Sequence, residues 1–325
     1  MIYILIALVI FLVIVTLVQF TRVGELLSEI KNQDVNKVTD SDNKTQGVLS
    51  LVVGGAFILF VIWQMVEWDH FLLPPASSVH GAEIDSLMQV SMGLILIAFF
   101  LLIPLLFFFA YKYRGNQKNT AYFFAHNNKL EVVWTVVPTI ILTALIVYGL
   151  RTWDRSMNPD ISTAKVIEVY AEQFKWTARL SGEDNKLGKA NYTLVNGKNA
   201  LGVNMNDVNA IDDKLVREVH LVVNKPVLLK FRSQDVIHSA FLPHFRVQMN
   251  CVPGLSTQFA FTPTQTTAEM KEQEGKDFEY ILLCNKICGA AHYNMQMSFI
   301  VETQKEYDAW VASQEILSEK LLTQK

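Results

Sequence analysis

Near the end of the chain the sequence reads Cys284-Asn285-Lys286-Ile287-Cys288-Gly289-Ala290-Ala291-His292-Tyr293-Asn294-Met295. It places two thiols, an imidazole and a thioether close together, between two runs of β-type sequence. These are the soft and borderline donors that bind copper first and zinc second, whereas magnesium and calcium prefer oxygen ligands. The stretch therefore predicts a metal site on a loop of a β domain.

A second imidazole comes from a distant part of the chain. His238 lies in the apolar run 236–241, just after Asp235. A Cys-x-x-x-Cys pair alone is also typical of a disulfide or a zinc clip, but the additional His and Met donors favour copper. The third thiol, Cys251, is expected to be a small buried apolar residue.

The donor set resembles the dicopper motif of cytochrome c oxidase subunit II, a member of the haem–copper oxidase family. That motif is Cys-x-Glu-x-Cys-Gly-x-x-His-x-x-Met with one remote His, and only the Glu is missing here. The resemblance implies that Cys284 and Cys288 bridge two copper ions. It also implies that each copper has two further ligands, which are His238 with Met295 for one and His292 with the backbone carbonyl of Lys286 for the other.

Composition indicates a membrane protein with an attached globular part, because 51% of the residues are hydrophobic and mean hydropathy is positive. A net charge of −3 indicates no nucleic-acid partner. Three Cys residues cannot form a disulfide framework, and the sequence has no Cys-x-x-Cys-His haem-attachment motif. Any haem therefore belongs to partner subunits.

Four apolar runs are long enough to cross a bilayer, and they cover residues 2–20, 48–66, 87–111 and 130–150. The connections before the second and fourth runs carry Lys and Arg, while the segment 67–86 carries neither. The positive-inside rule then places both termini outside, with the C-terminal domain in the periplasm of a bacterial inner membrane. The first run is interpreted as a retained helix, with a cleaved signal as the alternative. His70 and His80 are expected to be solvated loop residues.

The start of the fourth run, Glu131-Val132-Val133-Trp134-Thr135-Val136-Val137-Pro138, resembles the same family a second time. In relatives this Glu lies at the entrance of a proton path, so the resemblance implies that role for Glu131. The alternative is a carboxylate that is favoured by the positive end of a helix. The family usually has two helices, so the first two runs are a departure from it.

Beyond residue 154 the sequence changes to short β-type runs, which predict an antiparallel sandwich and agree with the cupredoxin-like fold that the resemblance implies. The runs cover residues 166–174, 216–223, 227–231, 236–241, 257–261, 280–284 and 297–301. We therefore expect a transmembrane region over 1–153 and a copper domain over 154–303. The copper domain has a surface insert at 181–214, and a C-terminal helix follows at 304–325.

Two departures from the family bear on function. Lys286 replaces the Glu whose carboxylate binds magnesium in relatives, so the magnesium site is expected to be absent or rebuilt. Phe174 replaces the surface Trp through which relatives take up electrons, and Trp176 is the nearest retained aromatic residue. Gln248 and Asn250 likewise replace a Lys and an Asp.

The segment from Asp154 onward has 21 acidic and 19 basic residues, a net charge of −2. This near balance offers little attraction to a basic soluble cytochrome. We therefore expect a haem c donor that is dedicated or tethered.

The resemblance implies a subunit of cytochrome c oxidase. It would accept electrons from a haem c donor and pass them to haem in subunit I, where oxygen is reduced to water with proton translocation. Partners would be subunit I, subunit III, the donor and the lipid bilayer. Two alternatives are a quinol oxidase subunit II without copper and a non-redox scaffold subunit that binds zinc.

Overall fold

The computed structural model describes residues 2–30 and 37–318. Four long helices precede a β domain that carries two short helices. The helices are α1 (Ile2–Ile30), α2 (Asp40–Glu67), α3 (Val79–Lys112), α4 (Asn128–Met157), α5 (Thr267–Glu274) and α6 (Gln304–Ser313).

Helices α1 to α4 are long and apolar enough to cross a membrane. All four predicted runs fall inside these helices, which extend beyond the runs. The connection between the first two runs is helical over 21–30 and 40–47. The good helix formers after Thr21 carry α1 on to Ile30. Thr39 then starts α2, because its side chain and that of Asp42 form a reciprocal capping box.

The helical region contributes to two compact units. One contains α1, α2 and α3 from Ile95 onward, and the other contains the first part of α3, α4 and the β domain. In the first unit, Gly54 of α2 lies against the ring of Phe107 of α3. A Cβ at Gly54 would lie 2.3 Å from that ring, so only glycine allows this close packing of the two helices.

The β domain is a sandwich of two five-stranded sheets, with strand orders β3-β2-β1-β5-β8 and β4-β10-β9-β6-β7. The strands are β1 (Lys165–Glu172), β2 (Lys175–Leu180), β3 (Lys214–Val216), β4 (Val219–Val222), β5 (Val227–Ser233), β6 (His238–Leu242), β7 (Val247–Cys251), β8 (Thr257–Phe261), β9 (Tyr280–Cys284) and β10 (Gln296–Glu302). Pairing is antiparallel except between β1 and β5 and between β4 and β10.

The sandwich confirms the predicted fold, with local differences in the strands. The run 216–223 is divided between β3 and β4, which lie in different sheets. The run 166–174 ends as a strand at Glu172, and the run 236–241 begins as a strand only at His238. Strands β2 and β7 were not predicted, because the buried Arg179 interrupts the apolar pattern of β2 and the exposed Gln248 and Asn250 interrupt that of β7.

The main core fills the space between the sheets. It includes Ile167, Leu229, Phe231, Leu282 and Phe299, each fully buried. Such residues alternate with less buried ones along β9 and β10, as expected for a sandwich. The loop that carries the predicted donors closes one end of this core.

The insert between β2 and β3 is more than a surface excursion. Leu201, Val203 and Ala210 are buried in a small second core with Tyr170. The insert is also joined to the sandwich by the buried side chain of Arg179.

The guanidinium of Arg179 lies 2.8 Å from the carboxylates of both Glu168 and Asp213. Burial would raise the pKa of Glu168, but Arg179 and Arg232 hold it below its usual value. Burial raises the pKa of Asp213 to about 6, against the opposing charge of Arg179.

The predicted C-terminal helix is interrupted after Ser313. Helix α6 ends at Ser313, and the chain then pairs with Lys214 through Ile316. Residues 319–325 of the predicted helix lie outside the described residues. On the inner face of α6, the ring of Trp310 stacks on His220 of β4 with a centroid distance of 3.9 Å. The helix therefore packs against the β domain.

Candidate metal centre

The donor loop joins β9 to β10, and strand pairing brings the distant His238 to it. Ala240 of β6 is paired with Cys284 at the end of β9, and His238 lies two residues earlier on the same face of β6. The amide of Asn285 donates to the carbonyl of Ser239 at 2.9 Å, which closes the junction. The sheet therefore fixes both the first thiol and the remote imidazole.

The predicted donors form a continuous chain of contacts. The Sγ atoms of Cys284 and Cys288 are 3.8 Å apart. Each thiol has an imidazole beside it: His238 Nδ1 is 3.8 Å from Cys284 Sγ, and His292 Nδ1 is 3.6 Å from Cys288 Sγ. Two further atoms complete the cluster, the carbonyl oxygen of Lys286 at 3.3 Å from Cys284 Sγ and Met295 Sδ at 3.9 Å from Cys288 Sγ.

These separations suit metal ligands. A tetrahedral ion with metal–sulfur bonds of about 2.3 Å and metal–nitrogen bonds of about 2.0 Å holds neighbouring donors roughly 3.5–3.8 Å apart. The side-chain donor atoms of His238, Cys284 and Cys288 all lie within 4.8 Å of one another. The sequence therefore folds with its thiols and imidazoles already near coordination distance.

The thiol of Cys288 lies in an environment that disfavours free thiolate. Burial, together with the neighbouring Cys284, raises the pKa of Cys288 to about 11. At neutral pH the metal-free thiol is therefore protonated, and a bound cation must displace that proton. Cys251 is fully buried in the core, where burial raises its pKa to about 12. It is a packing residue, as predicted.

Asp235 orients the buried imidazole of His238. Its Oδ1 lies 2.9 Å from His238 Nε2, so a proton on Nε2 leaves the Nδ1 lone pair directed to Cys284. The other carboxylate oxygen of Asp235 accepts a hydrogen bond from the backbone amide of Gln173 at 2.7 Å. Partial burial would raise the pKa of Asp235, but these hydrogen bonds hold it below its usual value.

The loop after β1 packs directly on the donor loop. Gly289 has a φ of +146°, and a Cβ there would lie 2.7 Å from the ring of Phe174. The side chain of Gln173 donates to the carbonyl of Cys288 at 2.6 Å. Phe174 is half-buried, so its ring reaches from the surface to the donor loop.

Trp176 is a core residue beside the donors. It is 6% exposed, its indole Nε1 donates to the carbonyl of Met295 at 3.4 Å, and its ring centroid is 6.1 Å from that of His238. Glu131 is not part of the centre. It lies in the first turn of α4, about 39 Å along the helix axis from Met157, where α4 ends ahead of the β domain.

The outer surface of the donor loop is largely apolar. Ile287 is 86% exposed and Tyr293 is 87% exposed. The side chain of Lys286 also faces solvent, while its carbonyl faces Cys284.

The sequence did not indicate three supporting features of the site. Asp235 was noted beside the run that contains His238, but not as the partner of its imidazole. The contact of Gln173 with Cys288 and the close packing of Gly289 on Phe174 depend on contacts between distant parts of the chain. The Cys288-Gly289 pair was the available sequence signal for the close packing on Phe174, because glycine tolerates positive φ.

Comparisons with known proteins match two domains. Residues 61–152 match the transmembrane domain of cytochrome C oxidase subunit II, and residues 165–303 match its periplasmic domain. The first match covers α3 and α4 through residue 152, whereas α1 and most of α2 precede it. The extra helices predicted from the sequence therefore lie outside the family's transmembrane domain.

Two similar proteins are named as subunit 2 of a cytochrome c oxidase. The alternative cytochrome c oxidase subunit 2 of Bradyrhizobium diazoefficiens is 29% identical over 269 residues, which cover 82% of this chain and 90% of the relative. Cytochrome c oxidase subunit 2 of Synechocystis is 26% identical over 82% of each chain. The crystal structure of the periplasmic domain of a Bradyrhizobium japonicum cytochrome oxidase subunit II is 19% identical. The matched region covers 51% of this chain and 99% of the chain in that structure, with a TM-score of 0.33.

Proposed function

The chain belongs to the cytochrome c oxidase subunit II family, and from that premise we propose that its β domain holds two copper ions and relays single electrons. It is a membrane protein with a C-terminal β domain and a subunit of a haem–copper oxidase. The observation that carries the proposal is the number of donors: six converge on one loop, whereas a single tetrahedral ion takes four.

The donors divide into two sets around the paired thiols. Cys284 and Cys288 are central and would both contribute to holding the two ions. We assign His238 and Met295 to one copper, and His292 with the carbonyl of Lys286 to the other. A bound copper pair supplies reversible one-electron chemistry. The chain's own residues hold the donors rigidly, with His238 oriented by Asp235 and Met295 held by β10 and the indole of Trp176.

Lys286 retains only half of the role that the family gives this position. Its backbone carbonyl reaches Cys284 at 3.3 Å, so replacing Glu by Lys does not remove that donor. Its ammonium repels a divalent cation, which needs oxygen ligands. We therefore propose that the complex lacks the magnesium site that relatives share with subunit I.

Electrons enter beside Phe174 in this proposal. The ring of Phe174 lies directly on Gly289 of the donor loop, and Trp176 lies behind the donors as a buried neighbour. The exposed Ile287 and Tyr293 surround the loop with apolar surface. Such a surface suits a dedicated or tethered haem c donor, because apolar contact does not depend on a strong opposite charge.

The remaining parts of the proposal concern assembly. Residues 1–153 form the transmembrane region of a bacterial inner membrane, with the copper domain (154–303) and the C-terminal segment (304–325) on the periplasmic side. Subunits I and III are the membrane partners, and all haem of the oxidase resides in partner subunits. Glu131 lies at the opposite end of α4, where it serves proton entry.

The test compares two thiols in the purified complex. Cys288→Ser removes a bridging ligand, and Cys251→Ala removes the core thiol. We expect copper content and reduction by a haem c donor to be lost only in Cys288→Ser. Equal behaviour of the two variants would contradict the proposal. Zinc in place of copper at the donor loop would favour the alternative of a non-redox scaffold subunit. Electron uptake from quinol without copper would favour a quinol oxidase subunit.

A further inference from the structure

The N-terminal end of α3 is bound to the turn that follows β6. The bound segment comprises Pro74 to Asp85, and the turn is the 3₁₀ segment Pro243–Phe245 with Arg246. Both belong to the same compact unit as the β domain. His80, expected to be solvated, is instead 9% exposed and packs with its ring centroid 5.2 Å from that of Phe259. The sequence prediction for His80 was wrong, because this contact joins residues far apart in the chain.

Arg246 is the centre of this junction. Its Nε and Nη2 donate to the two carboxylate oxygens of Asp85 at 2.9 and 2.8 Å. Nη2 also donates to the carbonyl of Pro74, and Nη1 donates to that of Pro243, both at 2.6 Å. The side chain of Arg246 is 8% exposed. A paired, planar and mostly buried guanidinium holds two segments in one relative orientation.

Backbone hydrogen bonds extend the junction. The amide of Ser77 donates to the carbonyl of His244, and the hydroxyl of Ser78 donates to that of Phe245, both at 2.7 Å. The amide of Val79 donates to Thr262, and that of Thr264 donates to Ser77, at 3.1 and 2.9 Å. The segment before α3 is thus attached to the ends of β6 and β8.

The junction acts on the strand that carries a metal ligand. β6 has His238 at its first residue and Leu242, which precedes the turn, at its last. These residues are separated by about 13 Å of extended chain. The covalent connection between α4 and the sandwich is the linker 158–164 before β1. The junction is a second, non-covalent attachment, and two attachment points restrict rotation of the sandwich about that linker.

We propose that Arg246 is a positioning residue of the electron relay. Its pair with Asp85 fixes the copper-binding sandwich on the N-terminal end of α3, and so sets the separation between the donor loop and the haem acceptor in the membrane. This rests on the proposed function, because it concerns the second half of the relay. Electron tunnelling weakens steeply with distance, so a loose sandwich slows transfer to haem while leaving the donor loop unchanged.

The backbone at Arg246 allows a clean test. Its φ of +54° and ψ of +33° lie in the left-handed region, which glycine adopts without strain. Arg246→Gly therefore removes the guanidinium while relieving the backbone. Asp85→Asn removes the partner charge at nearly constant size. Arg155→Gln is the matched control, because Arg155 and Glu83 form an exposed pair at 3.6 Å between α4 and α3.

The experiment uses the assembled oxidase and two independent readouts. Hydrogen exchange reports the amides of Ser77, Val79 and Thr264. In Arg246→Gly and Asp85→Asn we expect them to exchange about 30-fold faster. This change in exchange rate equals about 2 kcal/mol, at roughly 1.4 kcal/mol per factor of ten. The loss is smaller than the full cost of breaking a buried ion pair, because the side chain of Asp85 is 22% exposed.

Rapid kinetics then separates the two halves of the relay. We expect donor-to-copper transfer and the copper spectrum to be unchanged, and copper-to-haem transfer to fall about tenfold, since small displacements of reacting centres cost one to two orders of magnitude. Arg155→Gln should match the wild type in every readout.

Faster exchange with an unchanged copper-to-haem rate would overturn the proposal and leave Arg246 a purely structural role. Loss of the copper spectrum in both Arg246→Gly and Asp85→Asn would also overturn it, because Arg246 would then support the metal site itself. A wild-type complex without paired copper would instead refute the proposed function.

Discussion

The imidazole Nε2 of His238 lies 2.9 Å from a carboxylate oxygen of Asp235. This contact fixes which ring nitrogen carries the proton, and it leaves Nδ1 facing the thiol of Cys284. A carboxylate behind a ligating histidine holds the ring in place and strengthens it as a ligand. Asp235 therefore acts on the metal through His238, and its other carboxylate oxygen accepts from the backbone amide of Gln173, just after β1.

Asp235→Asn should weaken copper binding without unfolding the domain. The amide retains one acceptor oxygen but loses the charge, so it cannot serve both His238 and Gln173 equally well. We expect copper affinity to fall about 10- to 100-fold, measured by competition with a chelator. Unchanged affinity would show that the imidazole is oriented by its packing alone.

Gly289→Ala should damage the donor loop more than a comparable glycine substitution elsewhere. Gly289 has a positive φ, and a Cβ would contact Phe174 and Gln173, at 2.7 and 2.9 Å. We expect the free energy of unfolding to fall by about 2–6 kcal/mol, the sum of backbone strain and overpacking, and copper loading to fall with it.

Gly275→Ala is the control for Gly289→Ala. Its φ is +114°, but a Cβ there meets nothing within 4 Å, so only the backbone strain of about 1–3 kcal/mol applies. Equal destabilisation of the two variants in thermal or denaturant unfolding would mean that contact with Phe174 is unimportant.

Lys286→Ala should leave the copper site intact, because this residue contributes its carbonyl and its side chain faces solvent. Metal analysis of the purified wild-type oxidase should find no stoichiometric magnesium or manganese at this position. A copper spectrum lost in Lys286→Ala, or a stoichiometric dication in the wild type, would contradict this assignment of roles.

Acidification should loosen the junction at His244. Burial lowers the pKa of His244, Arg246 lowers it further, and Glu274 partly offsets this. The ring lies between Phe278 and Tyr280, with centroid distances of 5.0 and 5.5 Å. The pKa of His244 in the folded protein is below the ordinary value of 6.5. The packing of the neutral His244 ring therefore stabilises the junction fully above pH 6.5, and this stabilisation is lost as pH falls below that value.

The measurement is the exchange protection of the Ser77 amide, which donates to the carbonyl of His244. After correction for intrinsic exchange, protection should fall between pH 7.5 and 5.5 by at most about tenfold per pH unit, the limit for one proton. His244→Gln should remove this pH dependence. The same decrease in both proteins would exclude His244 as its cause.

The membrane helices and the donor residues were predictable because their signals are local. An apolar run long enough to cross a bilayer needs no tertiary contact to be identified, and Cys284 to Met295 lie on one loop. Helix ends were less predictable. The extension of α1 to Ile30 depends on helix propensity beyond the apolar run, and the start of α2 depends on the capping box at Thr39.

Features that depend on long-range contacts were not predictable. Arg246 and Asp85 are far apart in the sequence, and neither carries a motif, yet together they attach the sandwich to α3. His80 was expected to be solvated, but it is buried by the same junction. Strand β2 was missed because its charged Arg179 is paired in the core with Glu168 and Asp213, and a charge in a sequence normally indicates exposure.

The most direct test of the two-copper centre is electron paramagnetic resonance of the full-length chain, loaded with copper in detergent, together with a metal count. The account predicts two copper ions per chain and one unpaired electron coupled equally to two copper nuclei. A spectrum from a single copper nucleus, or a chain that takes up zinc and no copper, would contradict it.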